Sequence, residues 1–412
     1  MQRRDDLEKA LVQKFGSWEV PTTRTLVPKR DNKARGYTKD VPVEITKVKT
    51  VVFNPGSRDH CTKVLMEAGW APDPEDKKAW TPGGKPKLDE KVLETINVPQ
   101  AQQLIDYLIV QKRLGQLADG DKGWLKLVTQ EGKIHATYNC TSGTVTFRAS
   151  HGNPNIAQVP KVKSGKQGVL LGEVGGWGYE CRQLFTVPRG WRLIGADMAG
   201  CQLRALGHYA AEFDGGAYAH AVTDGDVHTM HLEACRPYVK TRDNAKTTIY
   251  AYIFGAGDGK LGSTNGGGRQ LGSKIRKALL SKVPGLGKAD AKLQTEAQRG
   301  YIIGLDGRKV FAKQQRVALN YALQSWEAII CKTWLVSFYE ACTKAGLKFG
   351  YDGDYVIVGW IHDEIQVAAK AKYAEKIGQA LVKYAKKAGE AYDIKVRLDS
   401  SYKVGNNWAE TH

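Results

Sequence analysis

The run WRLIGADMAG at 191–200 is dominated by apolar residues until it reaches Asp197. The run YVIVGWIHDEIQVAAK at 355–370 interrupts an apolar centre with His362, Asp363 and Glu364. Short apolar runs like these read as buried strands, the second as two strands joined by a turn. A carboxylate at the end of 191–200 is either a helix N-cap or a metal ligand, and taken alone the cap is the commoner case. A hairpin turn accounts for polar residues at 362–364 but not for three titratable ones in succession. A like-charge pair there is costly unless a metal or cation compensates it.

The length, 412 residues, suggests two or three domains or subdomains. A chain of this size buries enough apolar surface to fold without disulfides or structural metal. With 42% hydrophobic and 25% charged residues, the composition is that of a globular protein and excludes a disordered or collagen-like chain. No apolar stretch approaches the roughly 18 residues needed to span a bilayer. The opening MQRRDDLEKALVQKF carries charge where a signal peptide needs its apolar core. The expectation is a soluble intracellular protein, away from membranes. Lys and Arg number 61 against 43 Asp and Glu, a net charge of +18. Such an excess suits a polyanionic partner, although a solvated lysine surface is the plainer explanation and composition alone favours nucleic acid only slightly.

The seven cysteines are dispersed and none form CxxC, which argues against a disulfide framework or a zinc ribbon. His228, His231 and Cys235 share metal-like spacing, but no fourth ligand is evident and packing explains the pattern as well, so structural zinc is not expected.

Residues 2–15 read as a helix, with Leu7, Ala10, Leu11 and Phe15 at helical spacing. The stretch 20–49 has eight Lys or Arg and little apolar periodicity, and reads as a basic loop or small extension. Residues 92–128 are largely helical by period. From Lys133 the pattern turns β-like through KIHATYNC and TSGTVTFRAS. Residues 201–292 are mainly helical, and further helices are expected at 313–346, with a kink allowed for, and 372–389. GAGDGKLG and PGLGKAD resemble phosphate loops but do not fit GxxxxGK[ST], and read better as turns between helices.

The run RDNAKTTIYAYIFGAG at 242–257 carries the chemistry. Arg242, Lys246, Tyr250 and Phe254 recur every four residues. Each such step drifts by roughly 40° around a helix, so the four share one broad face. Aromatics at helical spacing usually mean core, but cations on the same face point to a phosphate-bearing ligand with a stacking base or sugar beyond it. Two aspartates on separate β-elements flanking such a helix are what two-metal phosphoryl transfer needs: two Mg²⁺ about 3.5–4 Å apart, with cations neutralising the triphosphate. Mg²⁺ favours a few carboxylates plus phosphate oxygens.

These three segments, in this order, resemble motifs A, B and C of family A (DNA polymerase I-like) DNA polymerases, particularly the replicative polymerases of T-seven-like phages. The resemblance covers nearly the whole chain: FGSW, VVFNPGSRDH, QKRLGQLADGDK, HGNPNIAQVP, FDGGAYAHAVTDGDVHT, RDNAKTTIYAYIFGAG, GLDGRKV, ALNYALQS, IHDEIQV and GNNWA. It implies a mixed α/β (α+β) right-hand fold: a thumb at 1–128, a palm with an antiparallel sheet at 129–225 and 305–412, and helical fingers at 226–304. It implies template-directed extension of a primer with dNTPs, with primer-template DNA as partner and two Mg²⁺ as cofactor, Mn²⁺ substituting. By matching motifs, Asp197 and Asp363 would bind the metals with the Met198 carbonyl, and Glu364 would support them. Arg242, Lys246 and His228 would face the phosphates, and Tyr250 would stack near base and sugar, a phenol there suggesting tolerance of dideoxynucleotides. Arg182, Gln324 and Asn320 would read the minor groove, whose acceptors are largely sequence-degenerate. His362 would touch the primer end, and Arg148 would contact DNA.

Several positions depart from the pattern. Gln202 stands where the family carries the glutamate that excludes ribose, and Phe254 stands where a tyrosine hydroxyl bonds that glutamate. Both differ together, so ribose exclusion is expected to persist in weaker form. Ala199 replaces a small Ser/Thr-like position, and Phe147 occupies a position that is usually glycine. Thumb and early-palm matches take up the 196 residues before Asp197. The expectation is therefore no proofreading exonuclease on this chain, that activity residing on a separate chain or having been lost by truncation. The DLE (6–8) and LDE (88–90) strings read as ordinary surface acids. The basic stretch at 20–49 is shorter than the thioredoxin-binding insertion of the phage relatives, which argues against thioredoxin recruitment. A basic loop there suits DNA phosphates instead, and some other processivity factor remains open. A phage-encoded chain would act in the cytoplasm of its bacterial host. The rivals are a single-subunit RNA polymerase, which usually carries HDS rather than HDE, and a non-catalytic DNA-binding replication protein, against which Asp197, Lys246 and Asp363 together speak.

Overall fold

The computed structural model describes residues 1–74, 79–88, 92, 96, 98, 101–141 and 143–412. Residues 93–95, 97 and 99–100 of the expected 92–128 helix, and Asp89 and Glu90 of the LDE string, lie outside them. The chain divides into two compact units, Met1–Ile134 and His135–His412.

In the first unit, α1 (Gln2–Phe15) buries Leu7 and Leu11, while α2 (Arg58–Glu67) buries Cys61, Val64 and Leu65. A further helix, α3 (Ala101–Leu114), buries Leu104, Ile105, Tyr107 and Val110. The stretch expected as a basic loop or small extension is a hairpin, its two strands joined by residues 27–42. β1 (Ser17–Leu26) and β2 (Val43–Val52) pair antiparallel over ten residues each. Its Val, Ile and Thr residues favour extended backbone, but both faces are largely exposed, so no burial alternation marks it in the sequence.

The second unit is built on a four-stranded antiparallel sheet. β3 (Trp191–Met198) is central and β4 (Tyr355–Ile361) is at one edge. β5 (Glu364–Lys370) lies between those two, and β6 (Ser400–Gly405) is on the other side of β3. β3 buries Trp191, Leu193, Ile194, Ala196 and Met198, as a central strand should. At Gly195 a Cβ would collide with the Thr411 carbonyl and the Gln366 amide, so the strand packs there only as glycine. Seven helices follow the first strand: α4 (Cys201–Asp214), α5 (Ala217–Asp224), α6 (Val227–Cys235), α7 (Arg242–Ile253), α8 (Asp258–Thr264), α9 (Arg269–Lys282) and α10 (Pro284–Glu296). The glycine-rich runs expected as turns in fact lie within α8 and α10 for much of their length. The 27-residue α11 (Ala318–Lys344) runs unbroken, with Trp326, Trp334 and Phe338 wholly buried. Trp334 donates its indole N–H to the Leu381 carbonyl of α12 (Ala374–Lys387) at 2.8 Å. Truncating such a side chain typically costs about 3–5 kcal/mol.

The β-like region after Lys133 reduces to a three-residue ladder, Thr137–Asn139 against Ser150–Gly152. Between them Phe147 takes φ 63°, a left-handed backbone that favours glycine. The Arg308 guanidinium lies 4.5 Å from its ring centroid. The position demands a glycine-like backbone, and here a phenylalanine supplies it.

Candidate active site

The carboxylates are delivered by the sheet. Asp197 is the penultimate residue of β3, and its Cα partner across the ladder is Glu364. Ile361 and Glu364 close a two-residue turn, in which His362 takes φ 57°, an uncommon conformation for a residue with a Cβ. The turn projects Asp363 beside the end of β3, where the Met198 N–H donates to the Asp363 carbonyl at 3.0 Å. The backbone after Asp197 is pinned from several sides. Ser400 Oγ donates to the Asp197 carbonyl at 2.8 Å, Ala199 N–H donates to the Asp399 carbonyl at 2.9 Å, and Arg204 Nε donates to the Ala199 carbonyl at 2.5 Å. Asp197 is therefore a sheet-end residue, while α4 is capped by Gly200 without a side-chain bond.

Asp363 has a neighbour that no motif names. Glu327 of α11 is 1% exposed. Its ligand oxygen, that of Asp363 and the Cys201 sulfur all lie within 4.8 Å of one another. Desolvation first, then the charges of Glu327 and Asp197, push the Asp363 carboxyl well above the usual range. Asp197 opens to solvent, yet surrounding protein strips enough water, with Glu364 adding its charge, to push it up to about 6. Like charges held together in this way fit a bound cation. The free Cys201 thiol donates a hydrogen bond to Cys331 and is held far above its ordinary pKa by that bond and by burial. That leaves the hard carboxylate oxygens as the cation's donors.

Glu364 is occupied elsewhere. Its Oε1 accepts from Trp408 Nε1 at 2.6 Å and Gln366 Nε2 at 2.7 Å, and its Oε2 pairs with His412 Nδ1 at 2.8 Å. Arg182 belongs to the same corner. It is 6% exposed, donates Nε to the Pro160 carbonyl at 3.1 Å and lies 4.4 Å over the Trp408 ring. Arg148 likewise turns inward, its Nη2 2.6 Å from Glu327 Oε2. Gln202 donates its amide to the same oxygen at 3.2 Å. On α11, Gln324 donates to Asn320 Oδ1 at 2.7 Å and accepts from Thr146 Oγ1 at 3.3 Å. His362 is exposed, 6.1 Å ring to ring from His151.

The cationic helix face forms as its spacing requires. Thr241 caps α7 by accepting from Asn244 N–H, and Arg242 and Lys246 are exposed beyond it. Arg242 grips Asp226 with Nε at 2.8 Å and Nη2 at 3.0 Å. Asp226 in turn caps α6, accepting from His228 and Thr229 N–H. Tyr250 and Phe254 stack at 6.3 Å and 25°, and the His228 ring is 6.3 Å from Tyr250. Burial, then Arg242 and Lys246, hold His228 below its ordinary pKa. Tyr250 connects this face to the carboxylates: burial raises its hydroxyl, and the charges of Asp363 and Glu327 add to the effect. His231 of α6 is turned away, with Nε2 3.0 Å from the Tyr218 hydroxyl.

Sequence reasoning missed Glu327, Arg204 and Trp408. Glu327 had a signal: Asn320, Gln324 and Glu327 fall at i, i+4 and i+7, a polar stripe down an apolar helix. Trp408 lies in the quoted GNNWA, but its partner is 44 residues away.

Comparison with known proteins gives this geometry a family. A family model described as DNA polymerase family A matches residues 26–410. The DNA-directed DNA polymerases of Enterobacteria phage T3 and Escherichia phage T7 are each 36% identical over 480 residues. Those alignments take in all of this chain, which spans 65% of the length of either relative. A solved polymerase domain of Pol1 from M. smegmatis, in complex with DNA primer-template and dNTP, matches 100% of this chain and 65% of its own. Its TM-score is 0.73 at 19% identity, a likeness of fold. The matched residues 26–410 include every carboxylate of the cluster and the whole cationic face of α7, and the chain belongs to DNA polymerase family A.

Proposed function

We propose that this chain is a template-directed DNA polymerase that adds dNTPs to a primer 3′-hydroxyl and releases pyrophosphate. The observation that carries the reading is the convergence of Asp363, Glu327 and the Asp197 strand end, with the charges of Asp363 and Glu327 reaching Tyr250 on α7, the helix that also carries Arg242 and Lys246. The phage relatives bear the name DNA-directed DNA polymerase, and the solved neighbour holds primer-template DNA and dNTP, which supports the same partners here.

In this reading Asp197, Asp363 and the Met198 carbonyl would hold two Mg²⁺, which would supply charge neutralisation at the triphosphate and activation of the primer hydroxyl. Lys246 and Arg242 bind the phosphates, Arg242 exchanging Asp226 for them, and His228 donates beside them. The stacked Tyr250 and Phe254 rings flank base and sugar. Gln202 fills the space beside C2′ and excludes ribose. His362 sits at the primer end, and Gln324 and Asn320 face the minor groove. Arg148 and Arg182 act through the segments they anchor, Glu364 through the turn that presents Asp363. Among the described residues no helix is long and apolar enough to cross a membrane, and the proposed place of action is the cytoplasm of a bacterial host.

A 5′-labelled primer annealed to a longer template, incubated with the chain, Mg²⁺ and dNTPs, tests the reading. Extension to the template end is expected. A chain that binds the duplex but adds no nucleotide with either Mg²⁺ or Mn²⁺ overturns it.

A further inference from the structure

A carboxylate inside the apolar length of α11 needs a reason. Glu327 is 1% exposed. Its Oε2 takes both of its recorded hydrogen bonds, from Arg148 at 2.6 Å and Gln202 at 3.2 Å. Its Oε1 is fully buried and has no hydrogen-bond partner among the described residues. An ion pair with Arg148 alone would leave that oxygen desolvated and unpaired, a strongly unfavourable state. Of the two side chains that bond Oε2, Gln202 Oε1 and Arg148 Nε are likewise buried without a partner among the described residues, so the polar group is incompletely satisfied as it stands.

The same carboxylate stands with Asp363 and Cys201 in a group whose ligand atoms fall within 4.8 Å of each other. Two carboxylates at that separation repel unless one takes up a proton or a cation lies between them. The Arg148 charge reaches Asp363 as well, but Nη2 hydrogen-bonds Glu327 Oε2 and one cation is set against the two carboxylates. Oxygen donors of this kind select hard divalent cations.

We propose that Glu327 Oε1 is a direct ligand, together with Asp363, of a divalent cation in this site, with Arg148 and Gln202 orienting the carboxylate through its other oxygen. This rests on the reading of the site as a divalent-cation centre and extends it. The sheet supplies two carboxylates, and α11 supplies a third from a position no motif marks. The neutral Gln202 fits beside it, because a carboxylate at 202 would crowd Glu327.

Mn²⁺ binding to the whole chain, read from the electron paramagnetic resonance of free Mn²⁺ without DNA or nucleotide, tests the assignment in the parent, Glu327→Gln and Asp363→Asn. Glutamine keeps the size of Glu327 and still accepts from Arg148. Glu327→Gln is expected to weaken Mn²⁺ binding at least tenfold, and Asp363→Asn to do the same. Loss in Asp363→Asn with parental affinity in Glu327→Gln overturns this proposal and leaves the polymerase reading standing. Parental affinity in both overturns the cation site itself. The unmutated chain supplies a second measurement that does not depend on any variant folding. Fe²⁺ with ascorbate and peroxide is expected to cut the backbone next to residues 197, 327 and 363. Cuts at 197 and 363 with none near 327 overturn the proposal.

Discussion

Glu364 accepts the indole N–H of Trp408 at 2.6 Å, which ties the turn carrying Asp363 to the last residues of the chain. Burial alone would raise the Glu364 carboxyl, but the bonds from His412 and Trp408 and the charge of Arg182 outweigh it and hold it below the usual range. Trp408→Phe keeps a ring over Arg182 and removes the donor. It is expected to cost about 1–3 kcal/mol in urea unfolding at neutral pH. For an acid whose folded pKa is lowered, the stabilisation is present above its unfolded value of 4.5 and is lost as pH falls below that. The gap between parent and variant should therefore narrow in acid.

The Arg148–Glu327 pair has side chains only 16% and 2% exposed. Removing one member of a buried pair strands the other charge, a loss of about 3–5 kcal/mol, whereas replacing both with apolar groups is often neutral. In chelator-treated, metal-free buffer Arg148→Met should be strongly destabilised, and Arg148→Met with Glu327→Leu should recover most of the loss. A double variant no more stable than the single one would show that the pair is not coupled.

Gln202 lies 3.2 Å from Glu327, so restoring the family's glutamate at 202 sets two carboxylates against each other. Gln202→Glu with Phe254→Tyr should discriminate dNTP from rNTP poorly until Glu327→Gln is added, and then at least as well as the parent. Gln202→Ala should lower the ratio of kcat/KM values by about tenfold or more, roughly 1.4 kcal/mol per decade. Single-nucleotide insertion kinetics measure both.

His231 is 1% exposed beside Tyr218, and burial first, then the nearby His228, lowers its pKa from 6.5 to about 3. The folded state holds it neutral while the unfolded chain protonates near 6.5. Its contribution is therefore complete above pH 6.5 and is lost progressively down to about 3, at up to about 1.4 kcal/mol per pH unit. His231→Gln should flatten the fall in stability between pH 6.5 and 5, measured by urea unfolding.

The parts of the site that were legible are those encoded by local period. The apolar run into Asp197, the paired strands around His362–Asp363 and the four-residue spacing of Arg242, Lys246, Tyr250 and Phe254 each state their geometry within a few turns or one strand. The parts that were not legible depend on distant partners. Arg148 meets Glu327 across 179 residues, and Arg204 reaches the backbone at Arg397 across 193, which no spacing rule connects. The hairpin at 17–52 was hidden for another reason: with both faces open to solvent, its alternation has no apolar side to display. Phe147 takes a positive φ that sequence alone assigns to glycine, and it is held there by packing against the core and by the Arg308 guanidinium over its ring.

The central claim is that Asp197 and Asp363 act together on the growing primer. Extension of a labelled primer-template by Asp197→Asn and by Asp363→Asn, alongside their affinity for the same duplex, tests it directly. The account predicts that either variant loses extension by at least about a thousandfold, on the order of 4 kcal/mol of transition-state stabilisation, while duplex affinity stays within a few-fold of the parent. Extension by Asp363→Asn at the parental rate would contradict it.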